Sequence, residues 1–274
     1  MNIQFTLTVP EGKRLIAEGI VSLPEIKRVL ESGKILLKGG TTVSAISERL
    51  IGRKLRISGR ISPLGTKGSR KNVSLPHSIL IMGHNIYEVD DKLEETVNSM
   101  GPEDICLISA NAIDSEGNAA MMAGAPLGGN PGRIISGLMA EGVNIIIPVG
   151  LEKLIPGKIQ QAVAASGRKK PDTAMGMAVG LIPLTGRVFT EIDAIKAISG
   201  LDAVVIGRGG ICGAEGASVF AVEGPEKQCK NLMDIIRDIK GKGISGDEMT
   251  LEECRPGSPG CKYHLACMYR EGFK

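Results

Sequence analysis

ILLKGGTTVSAISERL, residues 35–50, reads as a buried strand, a glycine turn and a helix in immediate succession. Ile35, Leu36 and Leu37 form an apolar run of strand length. Two glycines follow, and Thr42 or Ser44 supplies an N-cap for a helix running to about Ile51. In this order the backbone N–H groups of Gly39 and Gly40 and the hydroxyls of Thr41 and Thr42 converge on the positive end of a helix, a physical site for an oxyanion. The segment is not a Walker loop, because no Gly-Lys-Ser/Thr ending is present, and it lacks the Gly-x-Gly-x-x-Gly spacing. A helix cap that binds nothing explains the same threonines, and both readings stand at this point.

The same alternation extends in both directions. Upstream, residues 23–32 place Ile26, Val29 and Leu30 on one helical face, and Gly33 ends the helix. Downstream, strands are predicted at 55–61, 79–82, 104–109, 143–149, 186–189, 202–206 and 217–222. Helices are predicted at 90–100, 134–141, 159–165, 191–199 and 225–240, and a hairpin turn at 114–118. Strands alternating with helices imply an α/β fold, a mainly parallel, Rossmann-like sheet flanked by helices. Residues 1–241 read as the α/β domain and 242–274 as a cysteine-containing tail.

Composition narrows the function. Tryptophan is absent and aromatics make up 3%, so the core is aliphatic and stacking on nucleic-acid bases is not expected. No apolar run reaches the length that spans a bilayer, so no membrane role and a cytoplasmic location are expected. The net charge of +3 hides a local imbalance: Arg53, Lys54, Arg56, Arg60, Lys67, Arg70 and Lys71 occur with no acid among them. This is either a solvated strand and loop or a positive wall beside an anionic metabolite. A chain of this size and class commonly forms homodimers.

Candidate chemistry falls in three further places. Asp114 and Glu116 flank one residue in the turn DSEGN, where an Asx turn or a general acid–base carboxylate fits Asp114. Asn111 and Asn118 bracket the same turn as ligand contacts, although Asn118 beside Gly117 equally fits a left-handed backbone position. The second glycine loop, GRGGICGAEG, carries Gly209, Gly210 and Gly213 as ligand contacts, and Cys212 and Glu215 within it. Glu215 in this loop and Glu191 at a predicted helix start are candidate carboxylate nucleophiles; helix capping explains Glu191 as well. Finally, Cys254, Cys261, His264 and Cys267 form a C-x6-C-x2-H-x2-C pattern. It provides four ligands for zinc or an iron–sulfur cluster, or simply free thiols.

KGGTTVSAISERL and the succession SANAIDSEGN, a glycine-rich stretch and VNIIIPVGLEKLI resemble a known superfamily. It includes ribose-phosphate isomerases, sugar-responsive repressor domains, coenzyme A transferases, translation-initiation regulatory subunits and the LUD (lactate-utilisation) domain, whose motif order is the most similar. The resemblance implies that Gly39 to Thr42 bind phosphate, and that Glu191 or Glu215 acts as a transferase nucleophile. It implies an enzyme of isomerase or coenzyme A transferase type acting on a phosphorylated or coenzyme-A-linked carboxylic metabolite. The alternatives are a small-anion sensor without catalysis and a metal- or cluster-containing redox partner of the LUD kind.

Overall fold

The computed structural model describes residues 1–68, 75–247, 261 and 264–269. The chain opens with β1 (Asn2–Leu7), α1 (Val9–Ser22), α2 (Pro24–Ser32), β2 (Lys34–Lys38) and α3 (Thr41–Ile51). Two hairpins follow, β3 (Gly59–Ser62) with β4 (Gly65–Gly68) and β5 (Ser78–Met82) with β6 (Asn85–Glu88). Next come α4 (Leu93–Asn98), β7 (Ile105–Ile108), β8 (Ala112–Ile113), β9 (Ala119–Ala123), α5 (Gly129–Ala140), β10 (Asn144–Pro148) and α6 (Ile159–Ala165). β11 (Gly180–Leu184), β12 (Arg187–Phe189), α7 (Glu191–Ser199), β13 (Ala203–Gly209), β14 (Ala217–Glu223) and α8 (Glu226–Ile239) complete the body.

The central sheet has six strands in the order β12-β10-β7-β2-β5-β6. The four from β12 to β2 are parallel, and β5 and β6 extend it antiparallel. Strand periodicity divides its side chains between two cores. Ile35, Leu37, Ile79, Ile81, Ile105 and Leu107 face the helices α1, α3, α7 and α8, whereas Leu36, Leu80, Cys106 and Ile108 face α4 and α5. With both faces covered, the middle strands are continuously apolar, as ILL, ICLI and IIIP are. The antiparallel sheet β1-β14-β13 packs into the first core through Phe5, Phe220 and Val222, and the smaller sheet β11-β9-β8 adds Ile113, Ala119, Met121 and Leu184 to the second.

Several elements differ from expectation for local reasons. The predicted strand at 55–61 begins only at Gly59; before it Leu55 and Ile57 are buried, and Arg56 makes a single bridge to Asp247. The helix predicted from Asp90 starts at Leu93, because the Asp90 carboxylate is engaged by His77 and Arg56. β11 is unpredicted since Pro183 interrupts its pattern; proline is tolerated there because β11 is an edge strand. The start of the 242–274 segment packs back, with Asp247 N–H on the Leu55 carbonyl at 3.0 Å and Ser245 Oγ on Ser44 Oγ at 2.8 Å. Among the described residues no helix is long and apolar enough to cross a membrane.

Candidate functional site

The parallel strands β2 and β7 end side by side, and their C-terminal edge opens into a cavity of about 970 Å³, a size typical of small-molecule sites. Its walls come from the β2–α3 turn, the β3–β4 hairpin, the approach to β5, the segment after β7 and the start of α5. Six lysines and arginines line it against three carboxylates. A second hollow of about 660 Å³ lies at the opposite sheet edge, near the start of β10 and β12, where Arg187 is already paired with Glu25 at 2.6 Å. Ligand sites in open α/β sheets belong to the carboxyl edge, and the unpartnered chemistry described next is found there too.

The floor of the cavity is Lys38, the last residue of β2. It is 1% exposed and its Nζ has no hydrogen-bond partner among the described residues. Burial drives its ammonium from 10.5 down to about 7; Asp90 and the Cys106 thiol pull it back up, and Arg56 pushes it further down. Cys106 behind it is pushed up to about 12 by burial and stays a thiol. Burial thus favours the uncharged form of the Lys38 amine near neutral pH.

His77 closes over the glycine turn. The Gly39 N–H donates to the His77 carbonyl at 2.8 Å, and a Cβ on Gly39 would lie 2.3 Å from that oxygen and 2.4 Å from Nδ1. Only glycine lets the two chains approach this closely. His77 Nδ1 is 2.8 Å from the Arg56 carbonyl, an obligate acceptor, so Nδ1 carries the proton and Nε2 accepts from Ser58 Oγ at 3.2 Å. Burial first, then the Lys38 charge, holds the imidazole down to about 3. A base that weak does not activate Ser58, so a serine nucleophile is not what this pair provides. The His77 N–H and the Arg56 guanidinium bind Asp90 at 2.8 and 3.2 Å; burial raises the Asp90 carboxyl, but these bonds outweigh it and lower its pKa overall.

The rest of the lining supplies donors. α3 begins at the cavity with no side chain capping its first turn, and Gly40 and Thr41 line the space. Asn111 lines it as well; its Oδ1 accepts the Met122 N–H at 2.9 Å, leaving the amide N–H groups for a ligand. Lys153 reaches the same space and donates to the Ala110 carbonyl at 2.7 Å. Burial, and then Lys13, lowers its ammonium to about 8, partly offset by Glu152 and Glu191.

Gly39, Gly40, Thr41 and Asn111 thus line one cavity, and Arg56, Arg60 and Lys67 of the basic segment join them; Arg70 and Lys71 lie outside the described residues. The other predicted residues lie elsewhere. Thr42 is fully buried with its hydroxyl turned into the protein, unpartnered. Asp114 accepts N–H bonds from Glu116, Asn118 and Ile159 at 2.9 to 3.0 Å and from the Asn118 side chain, which lowers its carboxyl to about 2. It ties the turn to the start of α6 as a saturated acceptor, not as an acid or base. Asn118 is spent in the same turn. Gly209, Gly210 and Gly213 do not line the cavity, and their loop is closed by Glu215, which accepts the Gly213 N–H at 2.9 Å. Cys212 is exposed on that loop.

Glu191 is buried under the end of β10, accepting the Leu151 N–H at 3.0 Å. Burial first and Glu152 second push its carboxyl up to about 7. A carboxyl raised above its unfolded value of 4.5 binds more protons when folded, so stability declines as pH rises from about 4.5 to 7. Glu191→Gln, which retains an acceptor for Leu151, is expected to stabilise the protein by ~2 kcal/mol at pH 8 and hardly at all at pH 5. Urea denaturation at the two pH values checks this; an equal effect at both would mean the carboxyl is not titrating.

In the tail, Cys261, His264 and Cys267 are buried, and Cys254 lies outside the described residues. Among the described residues no three His, Cys, Asp or Glu side chains are gathered as metal ligands. Residues missed from sequence are Lys38, His77 and the reach of Lys153. A lysine closing an apolar strand looks like a solvated strand end, and nothing local marks His77 as a neighbour of Gly39. The chain matches no protein-family model, no curated protein and no solved structure.

Proposed function

We propose that this chain is an enzyme that binds a small phosphorylated metabolite in the cavity at the end of β2 and moves a proton on it. The observation that carries this reading is Lys38, an amine with no partner at the floor of a cationic cavity, beside an uncapped helix start. Burying an unpaired ammonium is costly. The phosphate is held by the N–H groups of the α3 first turn and by Arg60; Lys38 stands at the reacting carbon.

This reading keeps the kinship with the isomerase and transferase superfamily as a proposal and favours its isomerase side. Transfer through a glutamyl anhydride needs a glutamate at the ligand, but Glu191 is buried and Glu215 closes its own loop, and neither lines the cavity.

Titration calorimetry with inorganic phosphate, ribose 5-phosphate and a coenzyme A ester tests the proposal. Sugar phosphate is expected to bind more tightly than inorganic phosphate, with Thr41→Val and Arg60→Gln each weakening it about tenfold, a loss of ~1.4 kcal/mol per site. No heat from any phosphate compound at millimolar concentration would sink the reading. Binding without turnover of any carbonyl-bearing ligand would instead assign a sensor.

A further inference from the structure

We infer that Lys38 acts covalently, forming an imine with the carbonyl carbon of a small phosphorylated aldehyde or ketone held in this cavity. The inference rests on the anion-binding reading above and adds to it the class of substrate and the role of the amine. Three observations carry it. Among the described residues Lys38 Nζ has no hydrogen-bond or ion partner although it is buried, and its residue lines the cavity. It immediately precedes Gly39 and the uncapped start of α3, so a phosphate seated on that first turn keeps the rest of a short ligand within reach of the amine. Lys153, across the same space, has its Nζ committed to the Ala110 carbonyl, whereas Lys38 has no such commitment.

The surroundings suit an amine nucleophile. The titratable and charged groups around Lys38 are Asp90, Arg56, His77 and Cys106, from the segments packed on both sides of β2. Asp90 is already bonded to His77 and Arg56, His77 is a neutral imidazole, and Cys106 is a thiol, so no free anion locks the nitrogen as ammonium. With its ammonium near 7, about half of the amine is neutral at pH 7.

The step balances without an external reagent. The amine lone pair attacks the carbonyl carbon, a C–N bond forms, and the oxygen takes a proton to give a carbinolamine. That hydroxyl then leaves as water, the nitrogen loses its second hydrogen, and a C=N bond remains; the net change is one water released. Protonated, the imine acidifies the neighbouring C–H, which is what an isomerisation between carbonyl positions needs.

Dihydroxyacetone phosphate followed by sodium borohydride, with peptide mapping by mass spectrometry, tests the inference. A single secondary-amine adduct is expected on the peptide holding Lys38, suppressed by inorganic phosphate and missing from Lys38→Met and Lys38→Arg. Both variants are checked for folding by circular dichroism, and Lys38→Arg is expected still to bind phosphate. Labelling at Lys38 should roughly double from pH 7 to pH 9, whereas an ordinary lysine near 10.4 rises almost a hundredfold over the same range. Adducts scattered over many lysines, or placed on Lys153, would overturn the inference. No adduct while inorganic phosphate still binds overturns the imine alone; no adduct and no phosphate binding overturn the binding reading as well.

Discussion

Lys38→Met is expected to raise the stability of the folded protein by ~4 kcal/mol at pH 6 and by ~2 kcal/mol at pH 9, the reverse of an ordinary core substitution. Met matches the length of the lysine stem and needs no hydrogen bond, so the packing of β2 against α4 and α5 is retained. What it removes is the cost of an amine that wants to be charged. The Lys38 ammonium is lowered from 10.5 to about 7, so between those values the unfolded chain binds more protons than the folded one. Stability therefore increases with pH through that window, and the wild-type protein closes part of the gap to the variant as pH rises. Chemical denaturation of both proteins at the two pH values reads this directly. A variant less stable than wild type, or a gain independent of pH, would show that Lys38 has a partner in solution. The gain in stability should come with loss of the borohydride adduct, the usual relation between a strained site and its activity.

Gly39→Ala should act in the opposite direction. Its Cβ would meet two atoms of His77 at 2.3 and 2.4 Å, one of them backbone, so the β2–α3 turn and the start of β5 must separate. The Gly39 N–H bond to the His77 carbonyl is lost with them, and overpacking plus that bond costs ~2 to 4 kcal/mol. In a chain of this length the melting temperature should fall by roughly 5 to 10 °C. Phosphate binding should fall further than stability, because the displaced turn carries the N–H donors. Gly101→Ala is the control, since a Cβ there meets no atom within 4 Å. If both variants melt and bind alike, the close approach of the two segments is not a feature of the folded protein.

The elements of this fold are written locally. Apolar runs such as ILL, ICLI and IIIP, separated by helical periodicity and glycine stops, predict an α/β protein with helices on both faces, and the central sheet is built that way. The glycine turn after β2 and the helix start it leads into were legible because their parts are contiguous in the chain. Gly39, Gly40 and Thr41 are adjacent residues, and helix geometry alone directs their N–H groups. The turn at Asp114 was legible too, since an Asx turn is decided within five residues, but the acid–base role also expected of its carboxylate meets a saturated acceptor.

Where local rules compete, sequence misleads. GRGGICGAEG has every mark of a ligand loop, yet Glu215 closes it on itself away from the cavity. Glu191 looked exposed at a helix start and is buried beneath β10.

Strand order is the part that no local pattern encodes. It is set by which pairs of distant strands bury the most apolar surface in register, an energy shared among segments far apart in the chain. That choice places β5 beside β2, lays His77 over Gly39, and brings Arg56, Asn111 and Lys153 to one edge. It also turns Lys38, by sequence a polar strand end, into a buried amine without a partner. The chain by itself determined that a glycine turn joins a buried strand to a helix; only the tertiary structure decided that a buried lysine whose ammonium is disfavoured stands next to it, because a side chain's solvation depends on everything that packs around it.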